Sequence, residues 1–284
     1  MKFLIASKSF NKYKDKWLSF AQKYSNVDFV FINDSGNDEF VLRNELNLSN
    51  LICINNKNNI GKVKSFLNYF FDNNINDWIF MCDDKDEILD FDSFLEFTKK
   101  QMDINCVYVA DNLSNFKKVI GNKFNNCISL KEFYFINGKI GDKFIFLHSK
   151  HILDKKEWYQ FFLKLNNKIY ETALLAPYYD LRAIRINPII EHHYQKDGTS
   201  FNNLEVKANN YEYFIWEAHF VLKQKPCLKV IISKLFILWY LRHHEINLNK
   251  LNRYNQFLYL FFKTFKLFPI IQKIYLFHLK KLIN

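Results

Sequence analysis

Proline and glycine are scarce in this sequence, at four and six residues among 284, while apolar residues make up 49% and charged residues 24%. That balance excludes a disordered chain and describes a globular one, long enough for a substantial core in one or two domains. Cysteine is equally scarce. Cys53, Cys82, Cys106, Cys127 and Cys227 are scattered, odd in number and without a CxxC pair. They argue against a disulfide frame or a zinc site, and for small buried side chains in a reducing compartment. No stretch reaches the ~20 apolar residues of a membrane-spanning helix. The opening MKFLIASKSF has no long apolar run followed by a cleavage site, so export is not expected.

Acidic residues are the minority charge: 29 Asp and Glu face 40 Lys and Arg, a formal net charge of +11. Such a chain attracts nucleic acid, anionic lipid or phosphorylated substrates, and charge alone does not choose among them. What is abundant is aromatic, with 31 Phe and 16 Tyr. A usage rich in Phe, Asn and Lys is also what an AT-rich genome produces, so the bias by itself assigns no function.

Short apolar runs alternate with helical spacing through the first hundred residues. KFLIA at 2–6 reads as a strand and NKYKDKWLSFAQKY as the helix after it. Val27 to Ile32 is a second strand, closed by the turn-forming NDSGND. LICI is a third, followed by NNKNNIG and a helix on which Val63, Phe66, Leu67 and Phe70 share a face. DWIFMC is a buried strand that runs directly into DDKDEIL. This alternation predicts an α/β fold whose mainly parallel sheet is covered by helices. Beyond residue 100, NCVYVAD and KEFYFING read as strands, and 151–165 and 172–182 as helices, the second interrupted at Pro177. RAIRINPIIEHHY reads as extended segments around Pro188, and from Tyr211 onward the pattern is helical. There is no internal repeat.

Two polar loops therefore follow strands, after Ile32 and after Cys82, at the edge where open α/β sheets bind ligands. The second loop carries Asp83, Asp84, Asp86 and Glu87 within five residues. Carboxylates so close together raise one another's pKa and repel unless a cation joins them. The alternative reading is a solvated acidic loop that caps the next helix. For Asp34 it is an Asx-turn residue that shapes NDSGND.

Together these loops resemble the inverting family 2 glycosyltransferases of GT-A fold, especially the bacterial enzymes that build capsule or lipopolysaccharide glycans, over roughly residues 3 to 200. FLIAS, ending in Ser7, matches the early strand that contributes to the nucleotide pocket. Asn33 to Asp38 matches an Asp-Asp-Gly-Ser-x-Asp-like segment, with Asn33 at the first acidic position and Asp34 as candidate holder of the base. NNIGKVKSFLN matches an Asn-x-Gly segment leading into a helix, through Gly61 and Asn68. WIFMCDDKDEIL matches the strand ending in Asp-x-Asp-Asp, with Asp84 and Asp86 as its pair and Glu87 next. YETALLAP and IIEHHYQKDGTSF match segments on the acceptor side.

The resemblance implies a GT-A-like catalytic domain over 1–205, with a donor part at 1–110 and an acceptor part at 111–205, followed by a helical region at 206–284. It implies transfer of a sugar from a nucleotide-diphospho-sugar donor to a glycan or lipid-linked acceptor. Ser7, Asp34, Gly61, Lys62 and Asp84 would hold the nucleotide diphosphate, with Lys8 a second lysine able to reach its phosphates, and Asp86 with Asp84 would hold Mn²⁺ or Mg²⁺. Such an ion neutralises the charge that develops on a departing diphosphate. The base of the family is the Asp of a Glu-Asp doublet, which here is Glu171-Thr172. Threonine cannot take the proton. Glu171 is the leading candidate, with Asp142 and Asp180 in reserve and His192 or His193 beside phosphates or acceptor.

The C-terminal region has a character of its own. KVIISKLFILWYL at 229–241 suits a buried helix. In the last segment Lys263, Lys266, Lys273 and Lys280 share a sector with Gln256, while Leu260, Phe261, Phe265, Phe268 and Ile271 occupy the remainder, and Pro269 kinks or divides the helix. This suggests a peripheral position at the inner face of a membrane with anionic lipid. The alternative is a helix packed on the fold or between subunits of a homo-oligomer. Two competing functions follow from the same residues: a noncatalytic glycan- or membrane-binding relative that lost its base at Thr172, and a basic nucleic-acid-binding protein. No nucleic-acid motif supports the latter, and the acidic cluster disfavours it.

Overall fold

The structure, a computed structural model, describes residues 1–7, 10–35, 48–99, 102–111, 128–132, 143–186, 190–191, 203–244 and 248–273. Lys8, most of KEFYFING, Cys127, Asp142, His192, His193 and the tail that holds Lys280 lie outside the described residues. The chain divides into two compact units. One draws on Met1–Leu130, Ile140–Lys164 and Lys168–His193, the other on Lys131–Lys139, Leu165–Asn167 and Tyr194–Asn284.

The first unit begins β1 (Lys2–Ser7), α1 (Phe10–Lys23), β2 (Asp28–Asn33), β3 (Leu51–Asn55), α2 (Lys62–Asp72) and β4 (Trp78–Asp83). It continues β5 (Glu87–Ile88), α3 (Phe91–Thr98), β6 (Cys106–Asp111), β7 (Ile128–Ser129), β8 (Lys143–His148), α4 (Lys150–Leu153) and α5 (Lys156–Leu163). It ends α6 (Glu171–Leu175), β9 (Arg182–Ile186) and β10 (Ile190–Glu191). Eight strands form one sheet in the order β3-β2-β1-β4-β8-β6-β9-β7, and β5 pairs with β10 in a separate ribbon. The β1–β2, β1–β4, β2–β3 and β6–β9 pairs are parallel. In this sheet, among the described residues, β8 and β7 run against their neighbours, as β5 and β10 do in the ribbon. The expected α/β architecture, a mainly parallel sheet flanked by helices and followed by a helical C-terminal part, is the one present.

Strand alternation sorts the Phe residues. Phe3, Ile5, Phe29, Phe31, Phe80, Cys82 and Phe146 belong to one face, where Trp17, Phe91 and Phe94 cover them. Phe80 stacks on Phe3 at 4.8 Å between ring centroids, and Phe91 meets Phe3 edge-on. Each such ring contributes ~1.5–3 kcal/mol of burial energy. Cys82 and Cys106 are free thiols within this core. Burial pushes the Cys82 thiol well above its ordinary value, as befits an apolar residue and not a reactive one. Pro177 lies in the 3₁₀ turn Ala176–Tyr178 that ends α6, so the break falls where the ring predicts it.

The second unit is helical: α7 (Asn203–Asn209), α8 (Tyr211–Lys223), α9 (Leu228–Tyr240) and α10 (Arg253–Thr264), then helical residues 267–273. Lys234 of α9 is paired with Glu217 of α8. Asn252 caps α10, its side chain accepting from the Asn255 N–H at 2.8 Å. The chain turns at Phe265–Lys266, where Lys266 has φ 51°. Pro269 thus falls in the first turn of the next segment, where it is tolerated, and the helix divides ahead of it. Phe268, one of the apolar residues beside the lysine sector, is fully buried and stacks on Trp239 at 5.3 Å. The apolar residues that do face outward are Tyr254, Phe257, Leu260, Phe261, Phe265 and Ile270, 40–62% exposed. Among the described residues no helix is long and apolar enough to cross a membrane.

Candidate active site

Three parallel strands deliver the candidate residues to one edge of the sheet: β1 ends at Ser7, β2 at Asn33 and β4 at Asp83. Ser7 Oγ donates to Asp84 Oδ2 at 2.6 Å. Burial raises the Asp84 pKa, the Ser7 hydrogen bond opposes this, and the Asp83 charge adds to it. The acidic turn is gripped from below by α1. Lys16 Nζ donates to the carbonyls of Asp84 and Asp86, each at 2.7 Å, and Trp17 Nε1 donates to the Asp84 carbonyl at 2.7 Å. Nothing in the sequence marks Lys16 among 40 basic residues; only folding α1 back under β4 brings it there.

Asp34 is 2% exposed and its carboxylate has four donors within hydrogen-bond distance, of which Ser65 Oγ shares its one hydrogen with the Gly61 carbonyl. Asn56 Nδ2, the Ile60 N–H and Ser65 Oγ reach Oδ1 at 3.1, 2.9 and 3.2 Å, and the Gly61 N–H reaches Oδ2 at 2.8 Å. Through these contacts Asp34 ties down the β3–α2 loop. The Asx-type contact expected of it is made by Asn33, whose Oδ1 accepts the Ser35 N–H at 3.0 Å. Gly61 precedes α2 with φ 93°, and a Cβ there would lie 3.3 Å from Lys168 Cβ. Only glycine suits that conformation without strain.

Lys62, the first residue of α2, forms an ion pair with Asp83 at 2.7 Å. Burial pulls its pKa down, but the carboxylates of Asp83 and Glu171 outweigh this and its pKa is raised. Glu171, exposed at the start of α6, and Lys62 line one small cavity with Met81, Ile145 and Leu174, of about 20 Å³, which is room for about one water. Lys62, Asp83 and Glu171 thus meet on the α2 face of the sheet edge.

No family model and no curated protein sequence matches the chain. Among solved structures it is similar to S. aureus TarS 1-349, at 14% identity over 85% of this chain and 70% of that one, with a TM-score of 0.47. The complex of the same TarS fragment with UDP-GlcNAc gives 12% identity, 85% and 71% coverage and a TM-score of 0.48. The Francisella tularensis 2-C-methyl-D-erythritol 4-phosphate cytidylyltransferase gives 14%, 71% and 98% coverage and 0.36.

A divalent ion needs carboxylate oxygens that face it. Asp86 is 1% exposed, and its Oδ2 accepts the Asp83 N–H at 2.7 Å, closing the turn. Asp84 is 8% exposed and turned to Ser7. Among the described residues no three His, Cys, Asp or Glu side chains gather around a metal position. As arranged, the Asp84–Asp86 pair commits one oxygen of each carboxylate to the protein, Asp84 to Ser7 and Asp86 to the Asp83 N–H. It braces the turn, while the more exposed Asp83 engages Lys62.

The reserve bases fare differently. Asp180 precedes β9, which runs parallel to β6, and β6 and β4 both run against β8. Asp180 therefore sits at the opposite edge of the sheet, about 17 Å away for a five-residue strand, and is not brought to the site. Asp142 lies outside the described residues.

Proposed function

We propose that the chain is a GT-A-type glycosyltransferase that moves a hexosyl group from a nucleotide-diphospho-sugar donor to a glycan or lipid-linked acceptor in cell-surface polysaccharide synthesis, with inversion. The observation that carries this reading is the meeting of Lys62, Asp83 and Glu171 at the strand ends, beside the Asp34-tied loop and the start of α2. A lysine at the N-terminus of an 11-residue helix favours a diphosphate twice, through its ammonium and through the helix dipole. The diphosphate would take Lys62 from Asp83. Ser7 and Asp84 would meet the ribose, and Gly61 would let backbone approach the donor. Glu171, within electrostatic reach of Lys62, would accept the proton of the attacking hydroxyl.

Mn²⁺ or Mg²⁺ would be held by Asp86 with Asp84 and would offset the charge that develops on the departing diphosphate. We place α10 at an anionic membrane surface, since exposed Phe257, Leu260 and Phe265 stand beside exposed Lys263 and Lys266 and together match an interfacial helix.

Calorimetric titration with UDP, CDP and GDP, first in EDTA and then with Mn²⁺ or Mg²⁺, tests the donor site. One of the three should bind, and Lys62→Met should weaken it about tenfold or more, the loss of a charge-assisted contact. Strong binding only with the ion would support Asp84 and Asp86 as its ligands. No binding under any condition would overturn the reading.

A further inference from the structure

The helical second unit holds a cavity of about 370 Å³, lined in part by Ala208, Trp239, Arg242, His243, His244 and Gln272. That volume falls in the range of small-molecule pockets. The lining has one guanidinium, two imidazoles, one amide and an indole wall, and among the described residues no Asp or Glu. Arg242 is held in place: its guanidinium lies over the Trp239 ring at 4.4 Å, and Nη1 donates to the Trp239 carbonyl at 2.9 Å. One of its five N–H donors is thereby used, and the planar fork stays fixed. Among the described residues no carboxylate forms an ion pair with it. His244 is fixed in the same manner, stacked flat on Tyr211 at 3.8 Å and 6°. Two pre-oriented nitrogen donor groups, a second imidazole and an amide around a concave space suit a tetrahedral oxyanion better than a neutral ligand. The indole offers a surface for whatever body carries that anion.

We propose that this cavity is a binding site for a phosphate-bearing ligand, with Arg242 as principal donor and His243, His244 and Gln272 around it. It uses none of the residues of the donor edge and goes beyond sugar transfer. The phosphate can belong to a soluble ester or to a lipid headgroup, and the two sources separate experimentally.

Full-length protein is titrated with inorganic phosphate and with glycerol 3-phosphate, following its histidine imidazole NMR signals. In parallel it is sedimented with phosphatidylcholine vesicles, with and without phosphatidic acid. Saturable shifts of the His243 and His244 signals with the soluble anions, weakened about tenfold or more by Arg242→Gln, support the site and a soluble ester. Pelleting with phosphatidic acid that Arg242→Gln reduces, without soluble binding, supports the site and a headgroup. Arg242→Lys keeps the charge and loses the fork, so it should be intermediate; it replaces the Gln variant if that one fails to fold by circular dichroism. Nucleotide binding at the donor edge should be unchanged in every variant, which separates failure of this site from failure of the proposed function. No saturable soluble binding, together with vesicle binding indifferent to Arg242, would overturn the proposal.

Discussion

Asp34→Asn separates a residue that holds the fold from one that holds a ligand. Asn keeps one oxygen, and Oδ1 can go on accepting from Asn56, Ile60 and Ser65. Its amide nitrogen then replaces Oδ2 and points a donor at the Gly61 N–H, which sits 2.8 Å away. A charge-assisted bond of ~1.5–3 kcal/mol is lost and a buried N–H is left unmet, at ~1–3 kcal/mol. Gly61 has little room to retreat, with φ 93° and Lys168 packed behind it. After partial relaxation a net loss of ~3 kcal/mol is expected. At ~2–4 °C per kcal/mol for a domain of this size, Tm should fall by about 6–12 °C. Differential scanning calorimetry measures the drop, and nucleotide titration well below the transition measures affinity. Asp34→Ala, which abandons all four donors, should be worse. A variant that melts within ~2 °C of the parent but no longer binds nucleotide would return Asp34 to the base-holding role and refute the structural account.

Glu171→Gln should cut kcat by about 10² to 10⁴ while donor affinity is retained, and Asp180→Asn should leave kcat unchanged; the opposite pattern, or a collapse in Asp142→Asn alone, would move the base. His219, 7% exposed in α8 with both ring nitrogens without a hydrogen-bond partner among the described residues, has its pKa lowered to about 4, by burial first and then by Lys250 and Lys223. Between pH ~6.5 and about 4 the unfolded chain binds a proton that the folded chain refuses, so stability is full above this window and falls through it by up to ~3 kcal/mol. Urea midpoints from pH 7.5 to 4.5 should show that slope, flattened in His219→Phe; equal slopes in both would defeat the assignment. Replacing Lys263, Lys266, Lys273 and Lys280 with Gln should release the chain from anionic vesicles, and Phe257→Ser with Phe265→Ser should do so even at low salt; pelleting that ignores all six residues would assign α10 to a protein contact instead.

The α/β alternation was legible because burial writes a period into the chain. KFLIA, LICI and DWIFMC became β1, β3 and β4, and the spacing of Val63, Phe66, Leu67 and Phe70 became the buried face of α2. The edge that carries the site was legible too, since the polar loops follow strands. Asp180 falls at the other edge for a reason no local pattern contains: the direction of β9 depends on β8 entering between β4 and β6. Which of the apolar residues in that last segment meets protein is likewise not local: Trp239 covers Phe268.

By itself the sequence determined the secondary structure, the aromatic core and the gathering of acidic residues at one strand end, because these follow from the period of apolar residues and from neighbours in the chain. Tertiary structure alone decided what each carboxylate does. Asp34 reaches 27 residues along the chain to Gly61, Asp83 reaches back 21 to Lys62, and Asp84 reaches back 77 to Ser7. A carboxylate's role depends on which donors surround it and how much water it keeps. Those are properties of packed space, and residues distant in sequence supply them.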